Sequence, residues 1–154
     1  MPDNNIEILR KESYLKAIEN SVGSKIFNSL IVRFKDTGKI TDVLAEGVYS
    51  CAFFVSSLLY LSKTTDKPYS TVTNLQQHLD KKRGWNKVED IEPGDVIFWE
   101  KITFEDGSEN AHVGFALNKS EAVSTDYKNK MVARHQLQSD RKITGIYRYS
   151  WPKE

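Results

Sequence analysis

Apolar positions fall into two regimes along this chain of 154 residues. The first half carries helical spacing and the second half alternates. Ile6, Leu9, Ile18 and Val22 predict a first helix, capped by Asp3 or Asn4 and stopped at Gly23. A second helical or mixed segment is expected around Lys25–Val32, followed by a turn at Asp36-Thr37-Gly38-Lys39 and a loop from Thr41 to Gly47. Cys51 to Leu61 is apolar on nearly every side, which predicts a buried central helix. A polar connection, Lys63 to Tyr69, leads to Ser70 or Thr71 as the cap of a helix over Val72–Lys82. Val72, Leu75 and Leu79 form its inner face, and Gly84 is its stop.

After Trp85 the period changes. Pro93-Gly94-Asp95 reads as a turn into the strand Val96–Trp99, and Asp106-Gly107 as a hairpin tip. Further strands are expected over Ala111–Leu117, Glu121–Thr125, Met131–His135 and Ile143–Tyr149. Helices first and an antiparallel sheet second is an α+β pattern, with the sheet expected to pack on the Cys51 helix. Without a linker or repeat, residues 1–154 read as one domain, with 1–48 an N-terminal helical segment and 49–154 the functional core.

Composition excludes more than it selects. The net charge of +1, with no basic stripe, gives no footprint for a nucleic-acid partner. Lys81-Lys82-Arg83 ends a helix, where cations suit the dipole. The longest apolar run is too short to span a bilayer. No basic-then-apolar leader is visible, so a cytoplasmic protein, or one exported by a non-classical route, is expected. One cysteine and three scattered histidines lack the close pairs of a metal site, and no cofactor is called for. Trp85, Trp99 and Trp151 read as core or rim packing, and His78 as surface or satisfied structure.

The single cysteine carries the chemistry. Cys51 stands where the polar stretch before it gives way to a helix. A helix N-terminus favours thiolate through its dipole and free N–H groups, and the Cys51 N–H is positioned to face an oxyanion. His112 opens a strand, and one Cys followed by one His is a nucleophile–base order that would hold a thiolate–imidazolium pair. A third polar group normally fixes the imidazole. The next strand offers Ser124 and Asp126, two residues apart and so on one face, and His135 follows on the strand beyond. Asp126 is the stronger orienter electrostatically. Tyr49 and Trp99 are the expected walls of a substrate cleft.

Three stretches in order resemble the NlpC-like cell-wall cysteine peptidases. Ser50-Cys51-Ala52-Phe53-Phe54-Val55 is similar to the family's Asp-Cys-Ser-Gly-Phe-Val. Gly94-Asp95-Val96-Ile97-Phe98-Trp99 is similar to its Gly-Asp-Leu-Val-Phe-Phe strand. His112-Val113-Gly114-Phe115-Ala116 is similar to its His-Val-Gly-Ile-Tyr strand. The resemblance covers the chain from Tyr49 onward. It implies a papain-like core and a cysteine peptidase or amidase acting on a peptide or peptidoglycan-fragment substrate. It also implies a third catalytic position about a dozen residues after His112, at or near Ser124. Ser50, Ala52 and Phe53 stand where the family has Asp, Ser and Gly. These departures motivate two rival readings: an inactive binding or scaffold domain of the same fold, and an acyl-transferring enzyme using the same dyad.

Overall fold

The Cys51 helix is the centre of the molecule because almost every side chain on it is apolar. A computed structural model describes residues 5–153. In it this helix, α2, spans Cys51–Leu61 and buries Ala52, Phe54, Val55, Ser56, Leu58 and Leu59. It is preceded by α1 (Arg10–Asn20) and followed by α3 (Val72–Lys81). A short hairpin, β1 (Ile31–Arg33) with β2 (Ile40–Asp42), and a 3₁₀ turn at Ala45–Gly47 lie between α1 and α2. The strands β3 (Trp85–Lys87), β4 (Val96–Thr103), β5 (Glu109–Ala116), β6 (Glu121–Asp126), β7 (Met131–Gln136) and β8 (Ile143–Tyr149) follow. They form an antiparallel sheet in the order β3-β8-β4-β5-β6-β7. The fold is thus α+β, with three helices and two antiparallel sheets among the described residues. None of those helices is long and apolar enough to cross a membrane.

Strand alternation divides the interior in two. Val96, Phe98, Val113, Phe115, Val123 and Val132 face the helices and join Phe54, Val55, Leu59, Leu75 and Leu79 in the main core. Ile97, Trp99, Ala116, Ala122 and Ile146 face the other way, where Leu137 packs with them. α3 begins as the sequence predicts: the Thr71 hydroxyl accepts the Asn74 N–H, and Leu75 and Leu79 are buried.

The Pro-Gly-Asp turn is structural. Gly94 has φ of +89°, and a Cβ there would lie 2.7 Å from Leu15 Cδ2. The buried Asp95 carboxylate takes both arms of the Arg148 guanidinium at 2.8 Å and also accepts the Glu92 N–H. The turn is thereby tied to β8.

The N-terminal segment departs from its expected helical character. The Asp3 and Asn4 caps fall outside the described residues. α1 starts at Arg10, with Leu9 in the cap position and no side-chain cap bond. Its buried face is Tyr14 and Ile18, one helical turn apart, while Ile6, Leu9 and Val22 are largely exposed. Around Lys25–Val32 there is no helix, only turns leading into β1. β-Branched Ile31, Val32, Ile40 and Thr41 flank the Asp36–Lys39 turn, and close pairing across that turn wins over helical propensity. Asp42 then pins the chain by accepting the N–H groups of Leu30, Leu44 and Glu46. Against the pull of burial, these bonds hold its carboxyl down to about 2. β3 was not anticipated, because three residues at a sheet edge are too few to show a period. His78, expected at the surface or satisfied, is half-buried: its ring packs on Tyr69, and its buried Nε2 has no hydrogen-bond partner among the described residues.

Candidate active site

Cys51 is the first residue of α2 and is half-buried. The Ser50 hydroxyl before it donates to Gly47 O and is itself buried, which fixes the chain's entry into the helix. The backbone N–H groups of Ala52 and Val113 lie against the Cys51 sulfur. The Val113 N–H belongs to the peptide that joins Val113 to His112, and Cys51 and His112 line the same cleft. The β5–β6 ladder runs through Phe115↔Val123 and Ala116↔Ala122, with no described pair beyond these toward His112. There β5 keeps its pairing with β4, and β6 its pairing with β7.

His112 turns its Nε2 to Ser124 Oγ at 2.8 Å, and Ser124 Oγ meets His135 Nε2 at 2.6 Å. His135 Nδ1 lies 2.8 Å from the backbone carbonyl of Gln136. A carbonyl can only accept, so Nδ1 carries the proton, and Nε2 of neutral His135 is an acceptor. The Ser124 hydroxyl must then donate to His135, which leaves its oxygen to accept from His112 Nε2–H. The unprotonated nitrogen of His112 is therefore Nδ1, the one a general base needs. One backbone carbonyl thus sets the polarity of a relay that ends at His112.

Sheet geometry explains how these residues meet. Ser124 is registered with Ala133 and His135 with Ala122, so serine and histidine are diagonal neighbours on one face. Gly114 lets β5 close on β6: a Cβ there would stand 2.7 Å from Ser124 Cβ and 2.8 Å from Val123 O. The His-Val-Gly pattern has a steric reason.

The electrostatics differ from the thiolate–imidazolium pair expected of the sequence. Burial raises the Cys51 thiol above its ordinary value, although the neighbouring N–H groups and Arg141 pull it down. Burial, helped by Arg141 and His135, lowers the His112 imidazole to about 3. Both shifts favour the uncharged forms, a thiol and a neutral imidazole. Desolvation outweighs the helix terminus here.

The other expected site residues divide. Tyr49 lines the cleft, stacks on Phe104 and hydrogen-bonds Asp106 at 3.2 Å. Phe104 stacks in turn on Tyr127, so the β4–β5 tip adjoins the cleft. Trp99 is not a cleft wall. It is 2% exposed, its Nε1 donates to Leu137 O, and its ring backs both His112 and His135. Registered directly opposite His112, it shares that residue's face of the sheet and packs beside the relay. Asp126 lines the cleft, but its carboxylate accepts the Lys128 and Asn129 N–H groups and the Asn129 amide, so it closes the 126–130 turn instead of orienting His112. Ser124 and His135, set as alternatives in the sequence, act in series.

The cleft has a volume of about 700 Å³ and is lined by Cys51, His112, Ser124, His135, Tyr49 and Arg141 among others. Arg141 was missed. It sits in an irregular segment between β7 and β8, where no period or motif marks it. The Gln136 carbonyl was missed for a different reason, since backbone groups leave no sequence signal. Among the described residues no three His, Cys, Asp or Glu side chains gather as metal ligands. No protein-family model matches the chain, and no curated protein matches it in sequence.

Proposed function

We propose that this protein is a cysteine hydrolase, a peptidase or amidase, with a papain-like arrangement of its site. The observation that carries this reading is the directed series Gln136 carbonyl, His135, Ser124, His112, ending in the cleft that Cys51 also lines. In this mechanism His112 Nδ1 takes the thiol proton as Cys51 Sγ attacks an amide carbonyl. The imidazolium so formed is stabilised by Ser124 and then protonates the leaving amine. Water hydrolyses the thioester with His112 again as base. The Cys51 backbone N–H, at the start of α2, serves the oxyanion. Proton transfer during attack, not a standing thiolate, suits a site where burial disfavours both charges.

The resemblance to NlpC-like enzymes makes peptidoglycan stem peptides the first substrates to try. Wild type and Cys51→Ala should be incubated with purified stem peptides and with a p-nitrophenyl ester, followed by mass spectrometry. New amine termini from wild type alone, or an acyl adduct on Cys51 that turns over, support the hydrolase. Neither cleavage nor acylation would overturn it in favour of the inactive scaffold. An adduct that passes to an added amine in preference to water would identify the acyl-transferring enzyme.

A further inference from the structure

Several cations described in this protein have an evident partner. Arg134 forks onto Glu121, Arg148 is met by Asp90, Glu92 and Asp95, and Lys82 reaches Asp66. Arg141 differs. It is half-buried, it lines the cleft with Cys51 and His112, and among the described residues no carboxylate lies within ion-pair distance of it. The acids that share the cleft do not serve it. Asp126 is used by its own turn, and Glu109 is exposed on β5. Glu100, the nearest carboxylate by its influence on Arg141, accepts the Lys142 N–H. The loop is held at Arg141 itself, whose N–H donates to the Ser139 hydroxyl at 3.2 Å.

A guanidinium kept partly out of water without a counter-ion is costly, and the cost falls when an anion arrives. Its planar fork matches a carboxylate in two parallel hydrogen bonds. Lys101, also without an ion pair among the described residues, adds a second cation to the same cleft. The position is specific: the charge of Arg141 acts on both the Cys51 thiol and the His112 imidazole.

We propose that Arg141 is the carboxylate-binding residue of the cleft, and that the substrate is a peptide or acyl compound carrying a free carboxylate close to the carbonyl that Cys51 attacks. This rests on the hydrolase reading for the word substrate. The anion preference itself does not, because an alkylating agent probes it without turnover.

The test has two arms. In the first, the sole thiol of the intact protein is alkylated with iodoacetate and with iodoacetamide. Both require the same thiolate, so their rate ratio cancels any change in thiol acidity. Relative to a small neutral thiol, wild type should favour iodoacetate at least fivefold. Arg141→Ala should lose that preference, and Arg141→Lys should keep part of it. A ratio equal to that of the free thiol, or one unchanged in Arg141→Ala, overturns the proposal. In the second arm, peptide anilides differing as Glu against Gln, or Asp against Asn, at the residue donating the scissile carbonyl are compared. Wild type should prefer the acid in KM, and Arg141→Ala should erase the preference with kcat changed less. Equal KM for acid and amide overturns the substrate assignment. If no anilide is cleaved while the alkylation preference holds, the substrate assignment fails and the anion site stands.

Discussion

Ser124 Oγ stands 2.8 Å from His112 Nε2, and the same oxygen meets a second imidazole at 2.6 Å. A serine in the third position is a weak orienter alone, because its hydroxyl rotates. Here His135 holds the hydroxyl from the far side, and the Gln136 carbonyl holds His135. The orienting group is the series, not any one member.

Removing the hydroxyl should therefore cost activity more than stability. Ser124→Ala leaves His112 Nε2–H without its partner, a loss of ~1–3 kcal/mol, or about tenfold to a hundredfold in kcat. KM should change little. His135→Phe should give a similar loss, and the double variant should be no worse than the poorer single one. Additive losses, measured as kcat for all four proteins, would mean that the two residues act separately.

Gly114→Ala tests the closeness of β5 and β6. The new Cβ would press on Ser124 Cβ and on the Val123 carbonyl, and a backbone atom cannot swing aside. Overpacking of this kind costs ~1–3 kcal/mol. The melting temperature should fall, and kcat should fall beyond what that instability explains, since Ser124 is the atom displaced. A variant as active and as stable as wild type would remove the steric reading of the His-Val-Gly pattern.

The Pro-Gly-Asp pattern makes a different prediction, because its aspartate serves the fold. Asp95→Ala leaves Arg148 only its exposed partners Asp90 and Glu92 and should cost ~1–3 kcal/mol in urea unfolding. Asp95→Leu combined with Arg148→Met removes both charges and should recover most of that loss. The double variant should keep an intact active-site cleft, visible as an unchanged alkylation rate of Cys51.

What the sequence made legible follows from how each feature is encoded. α2 and α3 are written in side-chain spacing, and their expected starts at Cys51 and Val72 match the structure. β8 was readable over Ile143–Tyr149 from its β-branched and aromatic residues. The β1–β2 hairpin was not, because two strands of three residues resemble helix or loop equally well. In the site, Cys51, His112 and Ser124 announce themselves by residue type and order. Whether Asp126 or His135 supports them depends on where each side chain finds its nearest partner. Asp126 finds the N–H groups of its own turn, while His135 crosses to Ser124. Trp99 looked like a cleft wall because aromatic residues often are, yet it is buried with Leu137 and Ile146 and packs beside the histidines on their own face of the sheet. The charge state was least legible, since it depends on burial, which the local helix start does not reveal.

Burial of His112 should also appear in acid stability. Its imidazole is held to about 3 in the fold, against an ordinary value near 6.5 in the unfolded chain. Between those values the unfolded chain binds the extra proton, so stability is present above about pH 6.5 and is lost as pH falls toward 3. Because His112 borders the open cleft, roughly 1–3 kcal/mol is expected from it after allowance for solvent screening. Urea midpoints of wild type should decline across that window, and those of His112→Gln should decline less. Parallel curves for the two proteins would assign the acid loss to other groups.

The thiol gives the sharpest reading of the resting site. With Cys51 raised and His112 lowered, both groups are neutral from mildly acidic to alkaline pH. Alkylation by iodoacetamide should therefore show no plateau below pH 6, where a thiolate–imidazolium pair would react, and should rise only above the ordinary thiol value of about 8.5. Arg141 pulls the thiol down and pushes the imidazole down as well, so Arg141→Ala should move the alkylation curve to higher pH. A low-pH plateau in wild type that disappears in His112→Ala would mean that the pair is charged at rest. His112 would then act first as a counter-ion to the thiolate and only later as an acid toward the leaving amine.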